Sequence, residues 1–282
     1  MLACYEQYFG KYPFWKDGYA LVETPYLGME HQGAIAYGNQ YKRGYLGGMI
    51  PDGMDWDYII IHETGHEYWG NSISCHDHAE MWIHESFTTY MEALYVECSY
   101  SYEDAIRYLK MQRPFIADEA PIVGPLGVNF DDFSSSDHYY KGAWMLHTFR
   151  HALADDVLFF EILKDFYQKN QLSHIHSDAF FEYVNAKTGQ NWDAFFQQYL
   201  YHPHPPTLLY RAKQKGKNVH LSCRWETNVD GFEMPFLINT GNENHTIYPS
   251  SEKRKDFVLK NTNIKDINWR TDLFYVKTKG ME

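Results

Sequence analysis

Three prolines in five residues, His202-Pro203-His204-Pro205-Pro206, limit what this chain can fold into more than any other stretch. Proline offers no backbone N–H and holds φ near about −65°, so neither a helix nor a central strand can cross the cluster. The two sides differ in texture. Upstream, residues 19–50 mix β-formers with many glycines and read as short strands and tight turns, and after Asp55 the pattern turns helical. Ser101-Tyr102-Glu103-Asp104 resembles a capping box opening a helix to about Arg113; further helices are expected over 136–152, 155–169, 178–187 and 192–201, with Gly189 stopping one of them. Downstream, Val219–Trp225, Phe236–Ile238, Asp256–Leu259 and Leu273–Val276 alternate apolar and polar side chains, as half-buried strands do. The expected architecture is α+β: a mainly helical domain with a small mixed sheet over 1–202, then a small β-sandwich over 207–282.

At 282 residues and 44% hydrophobic content the chain can bury a sizeable core, as one large or two ordinary domains. A formal charge of −12 disfavours nucleic acid or an anionic membrane surface as partner, and mildly suits a substrate carrying a positive group. No run approaches the ~18 apolar residues of a membrane span, and residues 1–10 lack the basic start and apolar stretch of a signal peptide. A soluble protein is expected, its compartment left open. Cys4, Cys75, Cys98 and Cys223 lie far apart with no Cys-x-x-Cys pair, so neither a disulfide framework nor a zinc ribbon is expected.

Residues 62–66 read His62-Glu63-Thr64-Gly65-His66. Positions four apart share one face of a helix, so both imidazoles can reach one ion while Glu63 sits beside it without being a ligand. Zinc hydrolases use this spacing, the glutamate serving as general base for a metal-bound water. The chain has fifteen histidines, and such a pattern arises by chance in about 1 in 20 chains of this composition; a third ligand is therefore needed to carry the reading. Glu85, nineteen residues after His66 on a second helical segment, supplies one and lowers the chance to about 1 in 300. Glu92, seven residues further and on the same helical face, can accept a hydrogen bond from the free nitrogen of a ligand histidine, though an exposed helix glutamate has the same spacing. Two other histidine groups, Cys75-His76-Asp77-His78 and His174-Ile175-His176, lack a matching second ligand pair and read as solvated loop residues.

With these residues in place, the chain resembles the aminopeptidase N family of gluzincin metallopeptidases over about residues 5–200. The resemblance is carried by "HETGHEYWGN", "WIHESF", "LGMEH" upstream and "YYKGA" downstream, in the family's order. It implies a thermolysin-like fold, and the β-module after residue 206 is similar to the small sandwich that follows in some members. It also implies roles that spacing does not reveal. Glu30 would bind the free α-ammonium of the substrate, the backbone of Gly28 and Met29 would line the peptide like an added strand, and Tyr139 would stabilise the oxyanion. Departures from the family pattern are Leu27 for a glycine, His31 and His84 for two asparagines, Glu67 for a glutamine and Ser86 for the glycine after the third ligand. The family's preceding β-domain and large following helical domain have no counterpart in this chain, so other domains of a longer parent protein are expected partners.

The expected function is a zinc aminopeptidase acting on peptides with a free N-terminus. One Zn²⁺ per chain is held by His62, His66 and Glu85, Glu63 is the base and Tyr139 the oxyanion donor. An endopeptidase with an open cleft would use the same zinc chemistry. A catalytically silent binding module on the same fold is the alternative from another class, and in it the base or a ligand would be expected to be lost.

Overall fold

The structure is a computed structural model and describes residues 1–130, 134–241 and 243–281. Helix α1 (Leu2–Phe9) buries Tyr5, Tyr8 and Phe9. A mixed sheet follows, β1 (Ala20–Glu23), β2 (Gly28–Met29) and β3 (Ala34–Tyr37), in the order β1-β3-β2; β1 runs parallel to β3 and β2 antiparallel to it. The Asp57 carboxylate accepts from the N–H groups of Ile59 and Ile60 and so opens α2 (Tyr58–Gly65). After β4 (Ile73–Cys75) comes α3 (Trp82–Ser99), buried on nearly every side, as befits a central helix.

Helix α4 (Tyr102–Gln112) is capped by Ser101, whose Oγ accepts from Asp104 N–H. Helices α5 (Asp137–Leu153) and α6 (Asp156–Lys169) follow, then strand β5 (Ser173–Ile175), α7 (Ser177–Thr188), which stops at Gly189, and α8 (Asp193–Leu200). Strand β5 returns to pair in parallel with β4, a contact between residues a hundred apart that local pattern does not reveal. Helices α2, α4 and α5 all pack on α3. At the centre Trp69 stacks on Phe87 at 3.8 Å between nearly parallel rings, and large aromatics fill the spaces between helices.

Beyond the prolines, β6 (Thr207–Lys215), β7 (Asn218–Glu226), β8 (Phe236–Asn239), β9 (Asn244–Ile247), β10 (Lys255–Leu259), β11 (Asn268–Trp269) and β12 (Lys277–Gly280) form two sheets, ordered β10-β7-β6-β12 and β11-β8-β9. Trp225, Phe236 and Trp269 meet between them, ring to ring at 5.8 and 6.3 Å. The linker is tied back by Lys141, whose buried ammonium donates to the carbonyls of His202 and Pro203 at 2.8 and 2.7 Å.

Two expectations fail. Leu273–Val276 is not a strand: Leu273 and Phe274 N–H both turn back to Arg270 O, and all four side chains are buried, so the run plugs the core, and pairing begins only at Lys277. Cys4 and Cys98 form a disulfide, with Cα atoms 6.0 Å apart, because α1 packs against the C-terminal end of α3; sequence spacing holds no sign of this, and Cys75 and Cys223 are free thiols. Among the described residues, no helix is long and apolar enough to cross a membrane.

Candidate active site

Helices α2 and α3 bring His62, His66 and Glu85 together, all buried. The two Nε2 atoms are 3.1 Å apart, and Glu85 Oε2 lies 3.4 Å from that of His62 and 3.3 Å from that of His66. Each imidazole has its other nitrogen engaged: His62 Nδ1 is 2.6 Å from Glu92 Oε1, and His66 Nδ1 is 2.9 Å from Trp69 O. An imidazole that donates through Nδ1 presents a lone pair at Nε2. Three electron-rich atoms thus face one another in a buried place, and Glu85 Oε2 has no hydrogen-bond partner there. A cation resolves this arrangement. Tetrahedral zinc with bonds of about 2.0–2.1 Å holds its ligand atoms roughly 3.3–3.4 Å apart, so the residues present fit that ion.

The local field also favours positive charge. Burial alone would depress the His62 imidazole, yet the neighbouring carboxylates of Glu85 and Glu92 raise it well above its ordinary value. Against the same burial, Glu85 raises His66 to about 9. Burial works to lift the Glu85 carboxyl, but His66 and His62 hold it well below the usual carboxylate range.

Glu63 lies between the two histidines in sequence and is buried; that burial, opposed by His62 and His66 and reinforced by Glu30 and Glu85, pushes its carboxyl up. Gly28 approaches it so closely that a Cβ there would come within 2.5 Å of Glu63 Oε1 and 2.7 Å of Ile59 Cγ2, so only glycine lets β2 lie against this helix. Met29 is 44% exposed, and the outer edge of β2 pairs with no described strand. Half-buried Glu30 follows, and its carboxylate gathers with Glu63 and His66, ligand-type atoms within 4.8 Å of one another. The Tyr139 ring, at the start of α5, is 5.9 Å from that of His62. Burial, then Glu85, raises its phenol far above the ordinary value, so it remains a proton donor at any physiological pH.

Sequence reasoning missed several supports. Glu92 Oε2 accepts from Tyr108 Oη at 2.5 Å and from Gln112 Nε2 at 2.9 Å, both on α4. Asn71 Nδ2 donates to Glu30 O at 2.8 Å, and Glu67 Oε1 accepts from Gly33 N–H at 2.7 Å, so the stretch after α2 holds the loop that carries Glu30. Only adjacency to the motif, Glu67 and Asn71 falling within "HEYWGN", could have flagged these two. The departures find partners: Ser86 Oγ donates to His138 O at 2.6 Å, His84 Nε2 accepts from Cys75 N–H at 2.9 Å, and Ser86 fills the space beside Gly142 where any side chain would collide. The His76 and His176 rings lie 4.5 Å apart, tilted by 56°, and His176 Nδ1 meets Glu80 Oε2 at 2.7 Å, but among the described residues these side chains do not bring three ligand atoms together.

A cavity of about 480 Å³ opens beside Glu63, His62 and Tyr139. A larger cleft of about 650 Å³ lies between α8 and the β-sheets; it is lined by Asp193, Asp230, Glu233 and Glu252 and contains none of the groups above. Of these two, the smaller one borders the candidate metal ligand His62.

Two histidines one helical turn apart and a glutamate from the next helix, under a small mixed sheet, define the class of gluzincin-type zinc peptidases. Within it, this chain belongs to peptidase family M1: the Peptidase family M1 domain matches residues 1–199. The chain is 24% identical over 217 residues to aminopeptidase N of Lactococcus lactis subsp. lactis, a match covering 72% of this chain and 25% of that protein. Legionella pneumophila aminopeptidase A, solved in complex with aspartic acid, superposes with a TM-score of 0.72 at 14% identity over 100% of this chain and 34% of its own. The M1 zinc metallopeptidase of Deinococcus radiodurans gives 0.57 at 20% identity, over 72% of this chain and 42% of its own. These structures share the thermolysin-like α+β fold expected from the sequence. The chain spans about a quarter of the length of the curated relative it matches.

Proposed function

We propose that this chain carries the catalytic site of a zinc aminopeptidase, which removes the first residue of peptides with a free N-terminus. The observation that carries the reading is the trio of lone-pair atoms within 3.4 Å of one another, each imidazole fixed from behind by its own acceptor. His62, His66 and Glu85 would hold one zinc ion per chain; when bound, zinc polarises a carbonyl and lowers the pKa of a bound water. Glu63 takes the proton of the attacking water and returns it to the leaving amine. Tyr139 donates a hydrogen bond to the carbonyl oxygen as negative charge develops there. Glu30 fixes the substrate ammonium, which sets how far the peptide enters, and the free edge of β2 at Gly28 and Met29 pairs with its backbone. Glu92 holds the His62 ring in place. In this reading residues 1–202 form the catalytic unit and residues 207–282 the small β-sandwich, and further domains of a longer parent are its partners.

The test compares an aminoacyl chromogenic substrate with its N-acetylated form, on zinc-loaded wild type and Glu63→Gln. The free form should be cleaved, the blocked form spared, and Glu63→Gln should lose at least about 10²-fold in turnover while keeping its zinc. Faster cleavage of the blocked form would mark an endopeptidase. Bound zinc without turnover, unchanged by Glu63→Gln, would mark a silent binding module.

A further inference from the structure

The cavity beside Glu63 has walls that say what enters it. From the metal side outward, Tyr58 stacks on the His62 ring at 5.3 Å with 13° between planes, and Tyr45 meets Tyr58 edge-on at 5.6 Å. Opposite, Phe115 meets Tyr140 at 6.0 Å, and Leu27 and Met49 complete the lining. Phe115 stands 52% exposed, its ring open at the rim of the cavity. Among the described residues, the lining carries no charged group besides His62 and Glu63; its remaining polar atoms are tyrosine hydroxyls, one serine and backbone.

The cavity also has a definite place along the substrate. Glu30 clusters with Glu63 and His66, whereas the cavity leaves from Glu63 past His62 and Tyr139 and does not include Glu30. A peptide whose ammonium rests at Glu30 and whose first carbonyl faces Tyr139 therefore carries its second residue toward the cavity.

We propose that this cavity selects the second residue of the substrate, the one that becomes the new N-terminus, and that it takes a large apolar or aromatic side chain. The inference rests on the aminopeptidase reading above and adds the substrate class. An aspartate or glutamate in that position is rejected, because it meets the Glu63 carboxylate and finds no lysine or arginine among the described lining residues. Among the described lining residues a lysine would pair only with Glu63, the carboxylate needed to handle protons. Burying a phenylalanine side chain in such a site is worth about 10- to 100-fold over alanine.

The experiment uses two tripeptide series, Ala-X-Ala and X-Ala-Ala, with X as Phe, Ala, Asp or Lys. Hydrolysis is followed with the zinc-loaded wild type, and binding with zinc-loaded Glu63→Gln by calorimetry. In the first series, Phe should exceed Ala by at least about 10-fold in affinity for Glu63→Gln, which no longer presents the repelling carboxylate, and in the wild type Phe should exceed Asp by at least about 10-fold in kcat/KM. Met49→Arg, which places a cation on the wall, should shrink or reverse that ratio, and Phe115→Arg at the rim gives the same test should the first variant fail to fold. Hydrolysis of both peptides at equal rates overturns this inference and leaves the aminopeptidase reading standing. Selective binding without hydrolysis does the opposite. Equal binding overturns the inference whatever the wild type hydrolyses, and so does a preference that follows the first residue or survives both arginine variants.

Discussion

Glu92 shows how much of a site can rest on one side chain that need never touch substrate. One of its oxygens faces His62 Nδ1 while the other accepts from Tyr108 and Gln112. In Glu92→Gln the new amide can still accept from His62, but its NH₂ must then face the Gln112 amide, donor against donor. Zinc affinity should drop about 10- to 100-fold, read by competition with a chromogenic chelator, while the fold is retained by circular dichroism. Unchanged affinity would mean that His62 is positioned by its ring stack on Tyr58 alone. At this scale the sequence is readable where chemistry and helix period coincide: separations of four and seven residues pair His62 with His66 and Glu85 with Glu92, and the two pairs are joined across nineteen residues only through the zinc-hydrolase pattern. It is silent where the partner comes from another element. Nothing in the local pattern links Tyr108 and Gln112 to Glu92, or Asn71 to Glu30, because those pairings exist only once α4 and the loop after α2 have packed.

Helix α5 carries a second histidine pair, His147 buried and His151 half-buried, that belongs to stability rather than chemistry. His147 Nδ1 lies 3.3 Å from Tyr90 Oη on α3, and His151 Nε2 lies 2.9 Å from Tyr102 Oη on α4. Burial depresses both, with His151 and Arg150 adding to it at His147, which falls well below its usual value, and Arg150 adding to it at His151, which falls to about 4. In the unfolded chain a histidine takes up a proton near pH 6.5, so between about pH 6.5 and 4 the unfolded state binds more protons than the native one and stability falls with falling pH. For His151 the loss at pH 5 is on the order of 2 kcal/mol. Urea unfolding at pH 7 and pH 5 should show a smaller loss in His151→Gln than in wild type by about that amount; parallel losses would remove His151 as the cause. The helices themselves follow from caps and apolar period, Ser101 and Gly189 among them. What the pattern misreads is Leu273–Val276, where alternating polarity and continuous burial give the same four letters.

For the whole molecule, the bond between Cys4 and Cys98 joins α1 to the end of the helix that carries Glu85. Closing a loop of this size restricts the unfolded chain by an amount worth on the order of 4 kcal/mol. Adding dithiothreitol, or making Cys4→Ser with Cys98→Ser, should move the urea midpoint down accordingly, and an unmoved midpoint would argue against the bond. His62, Glu63, His66, Glu85 and Glu92 all fall between these two cysteines. A chain that melts with the bond intact therefore keeps every one of those donors on a single covalent ring, and a cation released from one of them stays near the rest, so its recapture becomes a search within the ring rather than along an open polymer.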